Sequence, residues 1–180
     1  MRTLRRLPVI LVIGLVLQTA TLAGTRATQA DVNQKVAALE DREAIRRLLI
    51  DYGRTLDARD FAGFAELFAA DAVYVGGGPG GAAHGPQAIR QMLENTFKAN
   101  PSGVSGPNFH LFFNAVIDLD GDTATSTSKG AFVIQSADSR PDLLILATYH
   151  DKLVRENGRW KFSRREVLSD IPAPVRPAAR

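Results

Sequence analysis

An aspartate at the end of one amphipathic stretch and a histidine near the start of another offer this chain its best prospects for proton chemistry. Asp57 closes a run in which Ile45, Leu48, Leu49, Tyr52 and Leu56 fall at i, i+3, i+4, i+7 and i+11, one face of a helix. It therefore stands at a helix C-terminus, where backbone carbonyls disfavour a carboxylate by roughly 0.3–1 kcal/mol. Partial burial would act in the same direction and move the carboxyl toward a range useful for proton transfer. A plainer role is also open: capping the next helix, or pairing with Arg54 or Arg59. His110 alternates with Phe109, Leu111 and Phe113, so it shares a strand face with Phe112, Asn114 and Val116. Such an apolar strand buries an imidazole and a carboxamide only at a cost unless they find partners. A pocket would supply them, and a backbone carbonyl would satisfy a core histidine equally well. With Asp57 in reach, the pair can act as general base and orienting acid, in either assignment.

Other side chains are weaker candidates. Asn114 lies about 13 Å beyond His110 along the strand, in the same cavity or at the strand's end. One of Arg164 and Arg165 must point inward, either as a cross-strand partner of Asp151 or as an anion clamp inside a pocket. Tyr74, Phe112 and Trp160 can line a ligand wall or simply fill the core. His84 falls on a glycine-rich loop, and His150 sits mid-strand on the outer face, where alternation places it opposite Tyr149 and Asp151.

Several chemistries drop out. The chain has 180 residues and no cysteine, so thiolate zinc sites, iron–sulfur clusters, disulfides and a cysteine nucleophile are excluded. Gly76 to Gly81 matches a dinucleotide fingerprint by letters alone, for it contains Pro79 and lies in no βαβ unit. Three scattered histidines make a poor catalytic metal site. Asp118, Asp120 and Asp122 alternate near a turn, where hairpin solubility accounts for them more simply than calcium does.

The elements that must position these groups follow from periodicity. Helices are expected over Val32–Leu56, over Phe61–Phe68 with Asp60 as N-cap, and from Gly85-Pro86 onward, with Ile89, Met92, Leu93 and Phe97 inward. A short strand at Ala72–Val75 precedes the loop Gly76–Gly85, expected to be mobile and near a pocket mouth. Strands follow at about 109–118, 122–135, 142–155 and 159–169, with Asp120-Gly121 and Asn157-Gly158 as hairpin turns. The expected fold is α+β, three N-terminal helices packed on a strongly curved antiparallel sheet that forms a cone with an internal pocket.

Charge separates the first thirty residues from the rest. They hold Arg2, Arg5, Arg6 and Arg26 and no acid, whereas from Asp31 onward 18 basic residues face 19 acidic ones. The basic excess thus belongs to the leader, which removes the main support for nucleic-acid binding. Arg2 to Arg6, the apolar run Leu7–Leu17 and a small-residue tail describe a secretory signal peptide over 1–30, with cleavage after Ala23 or Ala30. The remainder divides into a domain over 31–170 and a proline-rich tail over 171–180. The mature protein is expected in the periplasm or outside the cell, without membrane attachment.

The segments Glu43–Tyr52, Leu56–Phe61, Leu67–Tyr74, Gly85–Ile89, His110–Asn114 and Tyr149–Asp151 leading to Trp160 resemble SnoaL-like proteins of the nuclear transport factor 2-like superfamily. The resemblance spans roughly Val36 to Leu168. It implies a curved sheet around a pocket with an internal acid–base pair. Scytalone dehydratase-like, hexachlorocyclohexane dehydrochlorinase-like and bile-acid dehydratase-like members place an Asp at the end of the first helix and a His on the first long strand, which Asp57 and His110 match. Tyr52 matches a tyrosine five residues before that Asp in the bile-acid branch. Leu56 stands where scytalone dehydratases have a Tyr, and the strand Asp122–Gln135 lacks their second His or Asp. The resemblance implies a cofactor-independent lyase or isomerase with catalytic Asp57, His110 and Tyr52 acting on a small, largely apolar, cyclic substrate. Tyr74, Phe112, Asn114, Trp160 and Arg165 would bind that substrate. The alternative is an exported, non-catalytic small-molecule-binding protein with the same pocket. Homodimers packed through outer sheet faces are a tendency of the superfamily.

Overall fold

A computed structural model describes residues 28–76, 81–99 and 107–172. The leader up to residue 27, positions 77–80 and 100–106, and the tail from 173 lie outside the described residues. Thr28 caps helix α1 (Gln29–Asp57) through a capping box with Asp31. The helix thus begins inside the segment read as leader, and cleavage after Ala30 would cut its first turn.

α1 ends in a Schellman arrangement: the Asp60 amide donates to the Thr55 carbonyl (2.8 Å) and the Arg59 amide to that of Leu56 (3.0 Å). Arg59 takes the left-handed conformation (φ 59°) usually left to glycine. Its side chain offsets the strain by donating to the Leu56 carbonyl (2.7 Å) and Asn108 Oδ1 (3.2 Å). Asp60 then caps α2 (Phe61–Glu66), accepting from the Gly63 amide at 2.8 Å. This reversal fixes Asp57 in the last turn of α1, facing the sheet.

Strand β1 (Phe68–Val75) is longer than expected and starts where the second helix was expected to end. β2 (Ala82–His84) lies within the expected loop and pairs antiparallel with β1. Helix α3 (Gly85–Ala99) follows, then β3 (Asn108–Asp120), β4 (Thr123–Gln135), β5 (Pro141–Glu156) and β6 (Arg159–Ile171). The sheet runs β2-β1-β6-β5-β4-β3 and is not closed.

The sheet is mixed. β3 to β6 form the expected antiparallel meander, while β1 lies parallel to β6. Local periodicity reports which face of a strand is buried but not which strand it joins or in which direction. Register shifts in β3, β4 and β5 bend the strands, and the concave face takes α1 over β3 and α3 over β1. Ile45, Leu48, Leu49, Tyr52 and Leu56 of α1 enter the core with Phe64, Phe68, Ile89, Leu153 and Phe162. Full burial of such side chains stabilises by ~1.5–3 kcal/mol each.

Candidate active site

The Schellman turn delivers the Asp57 carboxylate to the first residues of β3, and both of its oxygens meet His110. Oδ1 lies 2.6 Å from His110 Nδ1, and Oδ2 accepts the His110 backbone amide at 3.0 Å. Arg54 pairs instead with Asp51 at 2.8 Å, Asp60 takes the cap of α2, and Arg59 donates to the Leu56 carbonyl and Asn108 while feeling the charge of Asp57. The side chains of His110 and Asp57 are 12% and 22% exposed, shielded without being sealed. Since a carboxylate only accepts, Nδ1 carries the proton in this contact, which leaves Nε2 as the basic nitrogen. Phe132 stacks on the imidazole with centroids 4.4 Å apart.

Gly53 makes this contact possible. A Cβ there would stand 3.1 Å from His110 Cβ and 3.2 Å from the Phe112 ring, so α1 rests almost directly on β3.

Tyr52 lies beneath the pair, its ring edge-on to His110 at 6.4 Å and to Phe112 at 5.7 Å. Its hydroxyl meets that of Tyr74 at 3.0 Å. Burial raises both phenols above their ordinary range, for Tyr52 well above it. Both therefore stay protonated, and of their two hydroxyl protons only one is used between them.

Arg165 is wholly buried beside Tyr52. Its guanidinium stands 3.9 Å over the Tyr52 ring, 4.5 Å over Tyr149 and 5.3 Å over Phe112. The register sets it opposite Asp151, and Nη1 donates to Asp151 Oδ2 at 3.4 Å. Of the two readings for an inward arginine, the cross-strand pair is present. Burial lifts Asp151 to about 6, with Arg165 opposing the shift.

The structure thus gathers Asp57, His110, Tyr52, Tyr74, Phe112 and Arg165 on the concave side, and leaves Asn114 and Trp160 elsewhere. Asn114 is exposed with φ 54°, at the register shift between Phe113 and Val116. The bulge breaks the alternation that would have carried it inward. Trp160 is buried against the middle of α1, where its Nε1 donates to Asp41 Oδ1 at 3.0 Å and Arg155 covers its ring. His84 and His150 are exposed and stand apart from the pair. Sequence reasoning passed over Gly53, Phe132, Ser126 and Ser128. The signals were present: a glycine inside a helical apolar face, and a strand whose inward positions from Ala124 to Gly130 are all small.

Residues 37–166 match the SnoaL-like domain family, and the chain belongs to it. An uncharacterised protein of Mycobacterium tuberculosis is 30% identical over 131 residues, 72% of this chain and 86% of the relative. Among solved structures, an NTF2-like protein with a cystatin-like fold from Novosphingobium aromaticivorans superimposes with TM-score 0.70 at 24% identity, covering 84% of this chain and 93% of that one. A candidate scytalone dehydratase from the same organism gives TM-score 0.63 at 26% identity, covering 81% and 98%.

Proposed function

We propose that this chain is a cofactor-independent lyase or isomerase in which His110 takes a proton from carbon in a small, largely apolar, cyclic substrate. One observation carries the reading: Asp57 holds His110 through both the ring and the backbone amide. With both oxygens engaged, Asp57 orients the imidazole and offsets the imidazolium that forms, while Nε2 receives the proton. The C–H electrons then form a double bond as a neighbouring hydroxyl departs, or move onto an adjacent carbonyl before reprotonation elsewhere. The unshared proton of the Tyr52–Tyr74 pair is available to the departing or enolic oxygen. The dehydratase description of one structural relative accords with this class of reaction.

Asp57→Asn retains the shape and removes the compensating charge, so turnover of cyclic β-hydroxy ketones, followed by enone absorbance, should fall ~10²–10⁴-fold with binding nearly intact. Wild-type turnover in that variant would refute the assignment. A second reading, an exported binding protein without chemistry, draws support from the dense ring packing that leaves Tyr52 2% exposed. Binding of these ketones without wild-type turnover would establish it.

The proposal includes export directed by residues 1–30. Cleavage after Ala23 keeps the Thr28 cap of α1 and cleavage after Ala30 destroys it, so mature protein should begin at Gly24. N-terminal sequencing that finds Met1 on the functional protein would reject export. It further includes a homodimer formed by the outer sheet face. There Phe109 aligns with Val133 and Leu143, Leu111 with Ala131, Leu146 and Ile171, and Phe113 with Lys129, Thr148 and Leu168.

A further inference from the structure

Below the ring belt of Tyr52, Phe112 and Tyr149, four strands contribute one polar row to the concave face. The register aligns Ser126 with Asp151, Asp151 with Arg165, and Arg165 with Tyr74. Ser128 stands two residues along β4 on the same face. Ser128 is 1% exposed, Ser126 3%, Asp151 4% and Arg165 0%.

Such depth normally demands complete hydrogen bonding, and the row does not supply it. Ser126 Oγ, Ser128 Oγ, Asp151 Oδ1, Arg165 Nε and Arg165 Nη2 have no partner among the described residues. Arg165 Nε and Nη2 can only donate, the two hydroxyls can donate or accept, and Asp151 Oδ1 is the one obligate acceptor of the set. Asp151 Oδ1 can absorb one serine hydroxyl by rotation about a side-chain bond. The two guanidinium nitrogens still have no acceptor within hydrogen-bond reach among the described residues. Rings flank the guanidinium and offer it only their faces. A group that completes this row must be a hydrogen-bond acceptor, small enough to lie between β4 and β6 and attached to something apolar enough for the belt above.

We propose that Ser126 and Ser128, with Arg165, form a specificity subsite for an acceptor oxygen at the end of the substrate remote from the proton that His110 removes. This rests on the reading that the concave interior takes a small organic substrate, and it narrows that substrate's class. The compound is an oxygenated ring system, bearing a carbonyl, carboxylate or phenolic oxygen, and not a bare hydrocarbon or halocarbon. A site that has committed buried donors rejects the analogue lacking the acceptor far more strongly than an apolar pocket rejects an extra group.

The test uses three probes with one ring frame: naphthalene, 2-naphthol and 2-naphthoate, titrated calorimetrically into the whole protein. The variants are Ser126→Ala, Ser128→Ala, the double variant and Asp57→Asn. Removing unpartnered buried hydroxyls leaves no donor stranded, so the alanine variants should fold, as circular dichroism will verify. The wild type should bind an oxygenated probe at least tenfold more tightly than naphthalene. The double variant should lose that preference while holding naphthalene as well as before, and Asp57→Asn should keep it. Equal binding of all three probes by the wild type overturns the subsite, as does a preference that survives the double substitution. Binding of none overturns both the subsite and the interior-pocket reading. A serine-dependent preference in a protein that turns nothing over sustains the subsite and removes only the lyase or isomerase reading.

Discussion

Replacing Gly53 with alanine sets two opposed effects of known size against each other at the point where α1 meets β3. Alanine improves helix propensity by ~0.8–1 kcal/mol over glycine. The added methyl, however, would sit 3.1 Å from His110 Cβ, 3.2 Å from the Phe112 ring and 3.3 Å from the His110 carbonyl oxygen. None of these is the free end of a flexible side chain, so α1 must lift by a few tenths of an ångström. Overpacking of that kind typically costs ~1–3 kcal/mol, and the net effect is a destabilisation of about 0–2 kcal/mol. Its consequence for the site is larger. Asp57 lies one turn further on, and its 2.6 Å contact to Nδ1 has little slack before it lengthens past a strong hydrogen bond. Misplacement near 1 Å costs up to ~10²-fold in rate, so roughly tenfold is expected here. Urea unfolding gives the stability difference, and proton NMR of histidine-labelled protein follows the Nδ1 proton, which should exchange faster in Gly53→Ala. A variant stabilised by the full propensity gain, with that resonance unchanged, would show that the close approach does not position the pair.

Two further predictions concern charge and assembly. Asp151 is lifted to about 6 from a model-peptide value of 3.8, so the folded state holds a proton that the unfolded state has released between those values. A raised carboxyl favours folding at low pH and loses that contribution as pH rises through its folded value. Wild-type stability relative to Asp151→Asn should therefore fall by about 2 kcal/mol between pH 4 and pH 7, read from urea midpoints at both pH values; a difference independent of pH would refute it. The outer sheet face leaves Phe109, Leu111, Phe113, Leu143, Leu168 and Ile171 43–62% exposed. Six such side chains, about half exposed at ~200 Å² each, present on the order of 600 Å², approaching the ~800 Å² per partner of a standard interface. Lys129 and Asp170 on that face neutralise each other at 2.9 Å, which suits contact with an identical surface. Light scattering should find a dimer that Leu111→Lys converts to monomer, and a monomeric wild type at tens of micromolar would reject it.

The Asp57–His110 pair was legible because each partner lies at a boundary that local rules mark. A helical period ends at Leu56, and a strand alternation opens at Phe109. The same alternation misled at Asn114, since a bulge is an extra residue that no period announces. It also could not show that β1 joins β6 in parallel, a matter of long-range contact. Trp160 has a hydrophobic body and a polar N–H, and sequence shows the body without revealing that Asp41 is the partner. The inward row of β4, Ala124, Ser126, Ser128 and Gly130, was readable as small residues making room. That two of them would be left without partners depends on side chains from two other strands.

Stability alone gives no reason for the polar row. Exchanging a buried ion pair for apolar groups of similar volume is often neutral or stabilising by ~1–4 kcal/mol, and each unsatisfied buried polar group costs ~1–3 kcal/mol. Against this, Arg165 has one contact to Asp151 at 3.4 Å and the faces of four rings. Those faces offset part of the desolvation, at ~2 kcal/mol for a buried cation–π contact, but they do not satisfy Nε or Nη2. Groups that weaken a fold and are still confined to the concave face, next to a shielded acid–base pair, are more readily explained by what that face must recognise than by what the sheet needs to stand.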